Sequence, residues 1–237
     1  MSRAFVSSSS QYLAVVGTPP VIDVPVTLAC WMYCTQDTAT QGLMGICDES
    51  APNGYIGISV LGDEEGDPVR AFQYGKTGSK YAYADSTIAY SANTWQHVCG
   101  VLAGDADRSV YLDGGNKGTD ATDAVDVSTW DVISIAGMRD SSPGYYFDGR
   151  ICEAAVWNVA LSDAEAAILA KGFSPLFVRP ANLVAYCPLI RTDQDWAGGY
   201  NMTAYNSPTF GDHAPKVIYP VPAVARVSGR GVFVTHT

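Results

Sequence analysis

Between residues 26 and 158 the chain is a succession of short β-prone runs, each closed by a turn signal, and that rhythm leaves few folds open to it. VTLACWMYC (26–34) alternates and is rich in β-branched and aromatic side chains, which suit a pleated, half-buried surface. NGYIGISVLG (53–62) is a second strand flanked by glycines. RAFQYG (70–75) and KYAYAD (80–85) read as a hairpin across a glycine-containing turn, and TWQHVCGVLAG (94–104) with RSVYLDGGNKG (108–118) as another, turning at GDAD. VISIAGM (132–138) and YYFDGRICEAAVWN (145–158) follow. Strands at this spacing, with no helical pattern between them, predict an all-β antiparallel sandwich.

One segment departs from the strand rhythm. SDAEAAILAK (162–171) predicts a short helix, with Ser162 as N-cap, Glu165 completing a capping box and Gly172 as the left-handed stop. It is expected to lie as a lid at the end of the sandwich. Beyond it, FSPLFVRPANLVAYCPLI has a proline-rich entry and then a strand, and SPTFGDHAP is a loop.

Charge then divides the chain. The whole carries 24 acidic and 14 basic side chains, a net −10. Residues 214–237 hold no acid and three bases (Lys216, Arg226 and Arg230), which leaves −13 on the body. Pro215, Pro220 and Pro222 favour an extended arm. The reading is therefore a sandwich over 1–213 and a basic arm over 214–237. Val217, Ile218, Tyr219, Arg226, Arg230 and Phe233 are the expected partner contacts, because apolar groups on an extended arm would otherwise face water. The competing reading is a strand folded back on its own domain. Sandwich edges and an extended arm also invite a homo-oligomer.

The same charge argues against broad nucleic-acid binding, since phosphates would be repelled. No apolar run is long enough to span a membrane, and MSRAFVSSSSQYL lacks the core of a secretory signal, which sets the expectation of assembly in a cytoplasm. The six cysteines lie mostly inside apolar strand-like runs and form no C-x-x-C pair, so they read as free core thiols suited to a reducing compartment.

Candidate chemistry is sparse. Glu153 is the strand carboxylate nearest a suitable place for glycoside hydrolysis, but its same-face neighbours Ile151 and Ala155 supply no second acid. GDEEGD (62–67) reads as a solvated turn, and His97 as a strand residue with a satisfied hydrogen bond rather than a base. Asp63, Glu64, Glu65 and Asp67, or Asp105 and Asp107, offer hard oxygens for calcium but not the spacing of an ordered calcium loop. No enzyme, cofactor or metal site is therefore expected. Among the tryptophans, Trp31, Trp95 and Trp157 read as core. Trp130 and Trp196 sit in loop-like sequence, with Asp193 and Asp195 close to the latter. An aromatic flanked by acids can stack and hydrogen-bond a sugar, and these four are the candidate glycan residues; the same composition also plugs a loop into its own sandwich.

The ordered motifs resemble the laminin-G-like, concanavalin A-like jelly-roll family over about residues 4–172. Phe5 followed by SSSSQYLAV looks like the opening strand and TLACWMYC like the Thr-hydrophobic-x-x-Trp strand. TWQHVCGV resembles the Trp-x-His-Val strand, YLDG (111–114) the Tyr-x-Asp-Gly hairpin, and IAG followed by YYFDGRICEAAVWNVALSDAE the closing stretch and helix. NLVAYCPLIRTDQDWAGGYNMTAYNSPTF (182–210) looks like a strand and loop that often open such domains, an order that circular permutation would explain. The linker, the LVAYCPL strand, the GDHAP loop and the proline-rich tail look like versions encoded by tailed bacteriophages. That resemblance implies a non-enzymatic virion protein, an exterior capsid decoration or tail accessory subunit, with capsid or tail proteins as partners of the arm. The alternative it carries is a carbohydrate-binding module for a cell-surface glycan.

Overall fold

A computed structural model describes residues 1–17, 19, 21, 23–52, 54–74, 81–124, 130–212 and 217–220. The strands are β1 (Ser2–Phe5), β2 (Tyr12–Val16), β3 (Val26–Cys34), β4 (Thr40–Cys47), β5 (Tyr55–Leu61), β6 (Val69–Tyr74), β7 (Tyr81–Asp85) and β8 (Trp95–Gly104). They continue with β9 (Asp107–Leu112), β10 (Gly115–Asp120), β11 (Val132–Ile135) and β12 (Gly149–Trp157). The helix α1 (Asp163–Ala170) precedes β13 (Leu183–Cys187), β14 (Thr203–Tyr205) and β15 (Thr209–Gly211).

They form two antiparallel sheets packed as a sandwich. The larger runs β10-β9-β8-β3-β12-β1-β15, with β13 pairing the second half of β12 in line with β1. The smaller runs β14-β2-β11-β4-β5-β6-β7. Residues 182–210 thus return a strand beside the opening strand, and β14 and β15 close on β2 and β1.

Alternation sets the layers. Leu28, Cys30 and Met32 of β3 face Ile46 of β4 and Ile56 and Ile58 of β5 across a continuous apolar core. Strand β5 is buried at all seven positions, which means that its outward side chains are covered too. On the outward face of the larger sheet, α1 sets Ala166 and Leu169 against Tyr111, Ala29 and Trp157. So α1 covers a sheet face, where the sequence suggested the end of the sandwich. Its capping box forms as read, with Ser162 accepting from the Glu165 N–H and Glu165 accepting from the Ser162 N–H at 2.8 Å. Trp157 is fully buried, whereas Trp31 and Trp95 are half-buried; Trp31 lies edge-on to His97, and Trp95 packs beside Tyr33. No described helix is long and apolar enough to cross a membrane.

All six cysteines are buried free thiols. Burial pushes the Cys47 and Cys99 thiols up to about 12 and Cys34 to about 11, far from the thiolate form that reacts. None of the six is expected to titrate with a thiol reagent in the native protein at neutral pH, and all six should after unfolding in guanidinium. One equivalent reacting rapidly in the native state would contradict this packing.

Candidate functional site: the outward face of the smaller sheet

The outward face of the smaller sheet is built on a row of small residues. Reading across the strands by register, Ala14, Ser134, Gly45 and Gly57 lie side by side, followed by Phe72 and Tyr83. Met138 fills the low ground. A Cβ on Gly45 would stand 2.5 Å from its sulfur, and one on Gly42 2.8 Å from its methyl carbon. A Cβ on Gly57 would meet the Met44 carbonyl at 2.5 Å and the Phe72 ring at 3.0 Å, so the trough exists because these positions lack side chains.

Aromatic rings rise on either flank. On one side Tyr55 packs edge-on to Phe72 and Tyr74, Tyr74 stacks on Tyr81 at 4.2 Å, and Tyr81 neighbours Tyr83 at 5.0 Å. On the other side Tyr12 stacks on Tyr205 at 4.5 Å and neighbours Tyr146. Tyr145, 51% exposed, is presented by a loop closed through the Met138–Gly144 bridge and pinned to β4 by the Gly42 N–H donating to its carbonyl. Thr40, Ser59, Tyr55, Arg70, Tyr81 and Tyr145 line a groove of about 310 Å³, together with Asp63 and Glu64. A second hollow shares Tyr55, Met138 and Tyr145 and adds Asp140 and Ser142. Such a volume is at the lower end of small-ligand sites, roughly 300–1,000 Å³.

Arg70 organises one wall. Its Nε and Nη2 donate to Asp85 at 2.6 and 2.7 Å, its Nη1 and Nη2 to Glu64 at 3.1 and 2.7 Å, and its Nη1 to the Tyr81 hydroxyl at 3.2 Å. The guanidinium lies 3.7 Å from the centre of the Tyr83 ring. Burial works against its charge, but the bonds to Asp85 and Tyr81 outweigh that and hold its pKa above the ordinary value. Burial raises Tyr55 and Tyr74, and pushes Tyr81 up to about 12, so these hydroxyls keep their protons at neutral pH and can donate as well as accept.

The residues singled out in the sequence lie elsewhere. Trp130 is 4% exposed in the main core, where its ring offers no stacking face to a ligand. Trp196 is exposed, but its ring neighbours are Tyr186 and Tyr219. Asp193 forms a two-pronged ion pair with Arg3. Asp195 accepts from the backbone N–H groups of Tyr186, Ala197, Gly198 and Tyr200 and so knots its own loop. In GDEEGD, read as a solvated turn, Asp63 and Glu64 face the groove and bond Thr40 and Arg70. His97 is buried and held neutral, its pKa lowered to about 3, with Nδ1 unpartnered rather than satisfied.

The arm begins by returning to its own body. The Ile218 N–H donates to the Gly172 carbonyl at 2.7 Å, and the Ser174 N–H to the Ile218 carbonyl at 2.9 Å, in a parallel bridge. The Tyr219 hydroxyl donates to Glu153, whose other oxygen accepts from Tyr186. Val217 is half-buried beside them. The bonds made by Ile218 and Tyr219 are therefore internal, and Glu153, the sequence's nearest approach to a catalytic acid, is a buried anchor for the segment. Arg226, Arg230 and Phe233 lie outside the described residues.

The groove is not legible in any one strand, because each strand shows only half of it. Tyr81 and Tyr83 alternate with Ala82 and Ala84, and Phe72 and Tyr74 with Ala71 and Gln73, on the two arms of one hairpin. That i, i+2 aromatic pattern on both arms was the available signal.

Two antiparallel sheets packed in this strand order form a concanavalin A-like β-sandwich. The chain belongs to the concanavalin A-like lectin/glucanases superfamily, whose laminin-G profile matches residues 7–167. No curated protein sequence matches it. Among solved structures it is similar to a heptameric SAP-like pentraxin from Limulus polyphemus, with a TM-score of 0.62 and 16% identity over 90% of this chain and 94% of that one. It is also similar to the CBM40 of the Ruminococcus gnavus IT-sialidase, with a TM-score of 0.57 and 14% identity over 72% of this chain and 97% of that one. The same CBM40 bound to α2,3-sialyllactose gives a TM-score of 0.58 at 14% identity, over 72% and 97% of the two chains. At these identities the likeness concerns the fold.

Proposed function

We propose that this protein is a non-catalytic carbohydrate-binding module that takes its sugar in the groove on the outward face of the smaller sheet. The observation that carries this reading is the trough itself: glycines make the floor, tyrosines make the walls, and hydroxyls and carboxylates converge on one hollow. Sugars present apolar C–H faces to rings and hydroxyls to polar groups, and this lining offers both. The carbohydrate-binding relative supports the glycan reading over the virion decoration or tail accessory subunit suggested by the tail-region motifs. A binding role also accords with the carboxylates. Both Glu64 oxygens are committed to Arg70, and Asp63 is its chain neighbour, whereas glycoside hydrolysis needs two carboxyls flanking the scissile bond.

The test is a glycan array followed by calorimetry on the strongest hit. Tyr145→Ala should weaken binding about ten-fold, the loss of one stacking surface, because the ring is half exposed and supports little of the fold. Trp196→Ala should leave affinity unchanged. Binding lost in Trp196→Ala but kept in Tyr145→Ala would move the site to the loops, and an array with no hit would end the glycan reading.

A further inference from the structure

Resting on the carbohydrate-binding reading, we infer that the groove rejects sugars bearing carboxylate, sulfate or phosphate groups. The strongest partner for an anion in a groove is a cation with a donor to spare. Arg70 is the cation among the described groove residues, and it has none. A guanidinium carries five N–H donors, and all five are engaged by Asp85, Glu64 and Tyr81, with its face covered by Tyr83. A ligand anion would have to displace one of its own carboxylates and leave that group facing it.

The other described charges on this wall are acidic. Asp63 and Glu64 line the main groove and Asp140 the adjoining hollow. Arg139, next in sequence to Met138, lies on the opposite flank beside Tyr12 and Tyr205, where it pairs with Glu49 and donates to the Tyr12 hydroxyl at 2.9 Å; its Nε has no partner, but it is buried and closed to a ligand. The lining therefore presents more negative than positive charge, within a chain of net −10. Carboxylates and tyrosine oxygens accept hydrogen bonds from neutral sugar hydroxyls, and the protonated tyrosines return donors. An acidic sugar would bring a like charge into this concave space, which is an energetic basis for discrimination.

The experiment compares neutral oligosaccharide cores on an array with the same cores carrying sialic acid, uronic acid or sulfate, and with cores carrying a free amine. Neutral cores should bind and amine-bearing cores should bind at least as well, with affinity falling about ten-fold or more when one acidic group is added. Because the rejection is electrostatic, the gap should narrow when ionic strength rises from about 0.01 M to about 1 M. Asp63→Asn should narrow it at low salt. Lys76 and Lys80 lie between Tyr74 and Tyr81 in residues outside those described, so a Lys76→Gln/Lys80→Gln variant is run in parallel and should keep the neutral preference. Equal or tighter binding of acidic cores, or amine-bearing cores binding more weakly than neutral ones, overturns this inference and leaves the carbohydrate reading standing. No binding to any core overturns both.

Discussion

Glu153→Leu is expected to lower the unfolding free energy by about 3 kcal/mol, read from the urea midpoint. Glu153 is 3% exposed and accepts from two tyrosine hydroxyls, Tyr186 and Tyr219. It sits where the pairing of β12 with β3 is interrupted, with φ at +55°, so the backbone turns its side chain out of the regular alternation. Leucine removes the acceptor and leaves two hydroxyls short of it, although Tyr186 retains its contact with Ser174 at 3.2 Å. Burial and the neighbouring Glu153 charge raise the pKa of both tyrosines, so they remain donors across the neutral range. Glu153→Gln keeps one good acceptor and should cost about 1 kcal/mol. Tyr219→Phe should cost roughly 1.5 kcal/mol, and combining it with Glu153→Leu should lose less than the sum, because the Tyr219–Glu153 bond is lost in both. Additivity in that cycle would mean that the Tyr219 hydroxyl does not depend on Glu153. A Glu153→Leu protein as stable as the parent would remove the anchor altogether.

The layers were legible in the sequence because alternation and turn chemistry are local. The runs 26–34, 94–104 and 145–158 emerge as β3, β8 and β12, and the Ser162–Glu165 capping box forms as read. What alternation alone does not say is which alternate face is covered by a second layer. NGYIGISVLG reads as one strand, yet Ile56 and Ile58 enter the core while Tyr55 and Gly57 build the trough. Acids flank the loop tryptophans, but acids in loops mostly bond nearby backbone, as Asp195 does. Glu153 was readable as an isolated strand acid. Its partners, Tyr186 and Tyr219, lie 33 and 66 residues away, which no local pattern spans. The arm is basic and acid-free by composition, but charge does not specify the backbone bridge that Ile218 closes with Phe173.

Gly118→Ala should be more damaging than its size suggests, at about 2–3 kcal/mol, while Gly115→Ala on the same strand should change stability by less than about 0.5 kcal/mol. The two differ only in what stands over them. A Cβ on Gly115 meets nothing within 4 Å, whereas one on Gly118 would overlap the carbonyl oxygen of Asp85. That contact is where β10, the edge of the larger sheet, closes on β7, the edge of the smaller one, beside the bond from the Thr87 N–H to the Asn116 carbonyl. Moving β7 moves Asp85, and Asp85 holds the Arg70 guanidinium that bonds Tyr81 and lies under Tyr83. A methyl group on the far sheet should therefore also weaken glycan binding, by about ten-fold at temperatures where the variant is still folded. Thermal unfolding and calorimetry on the Gly115 and Gly118 pair separate the two effects. If Gly118→Ala is destabilised but binds with parental affinity, the Asp85–Arg70 clamp does not shape the groove, and the tyrosines alone carry its geometry.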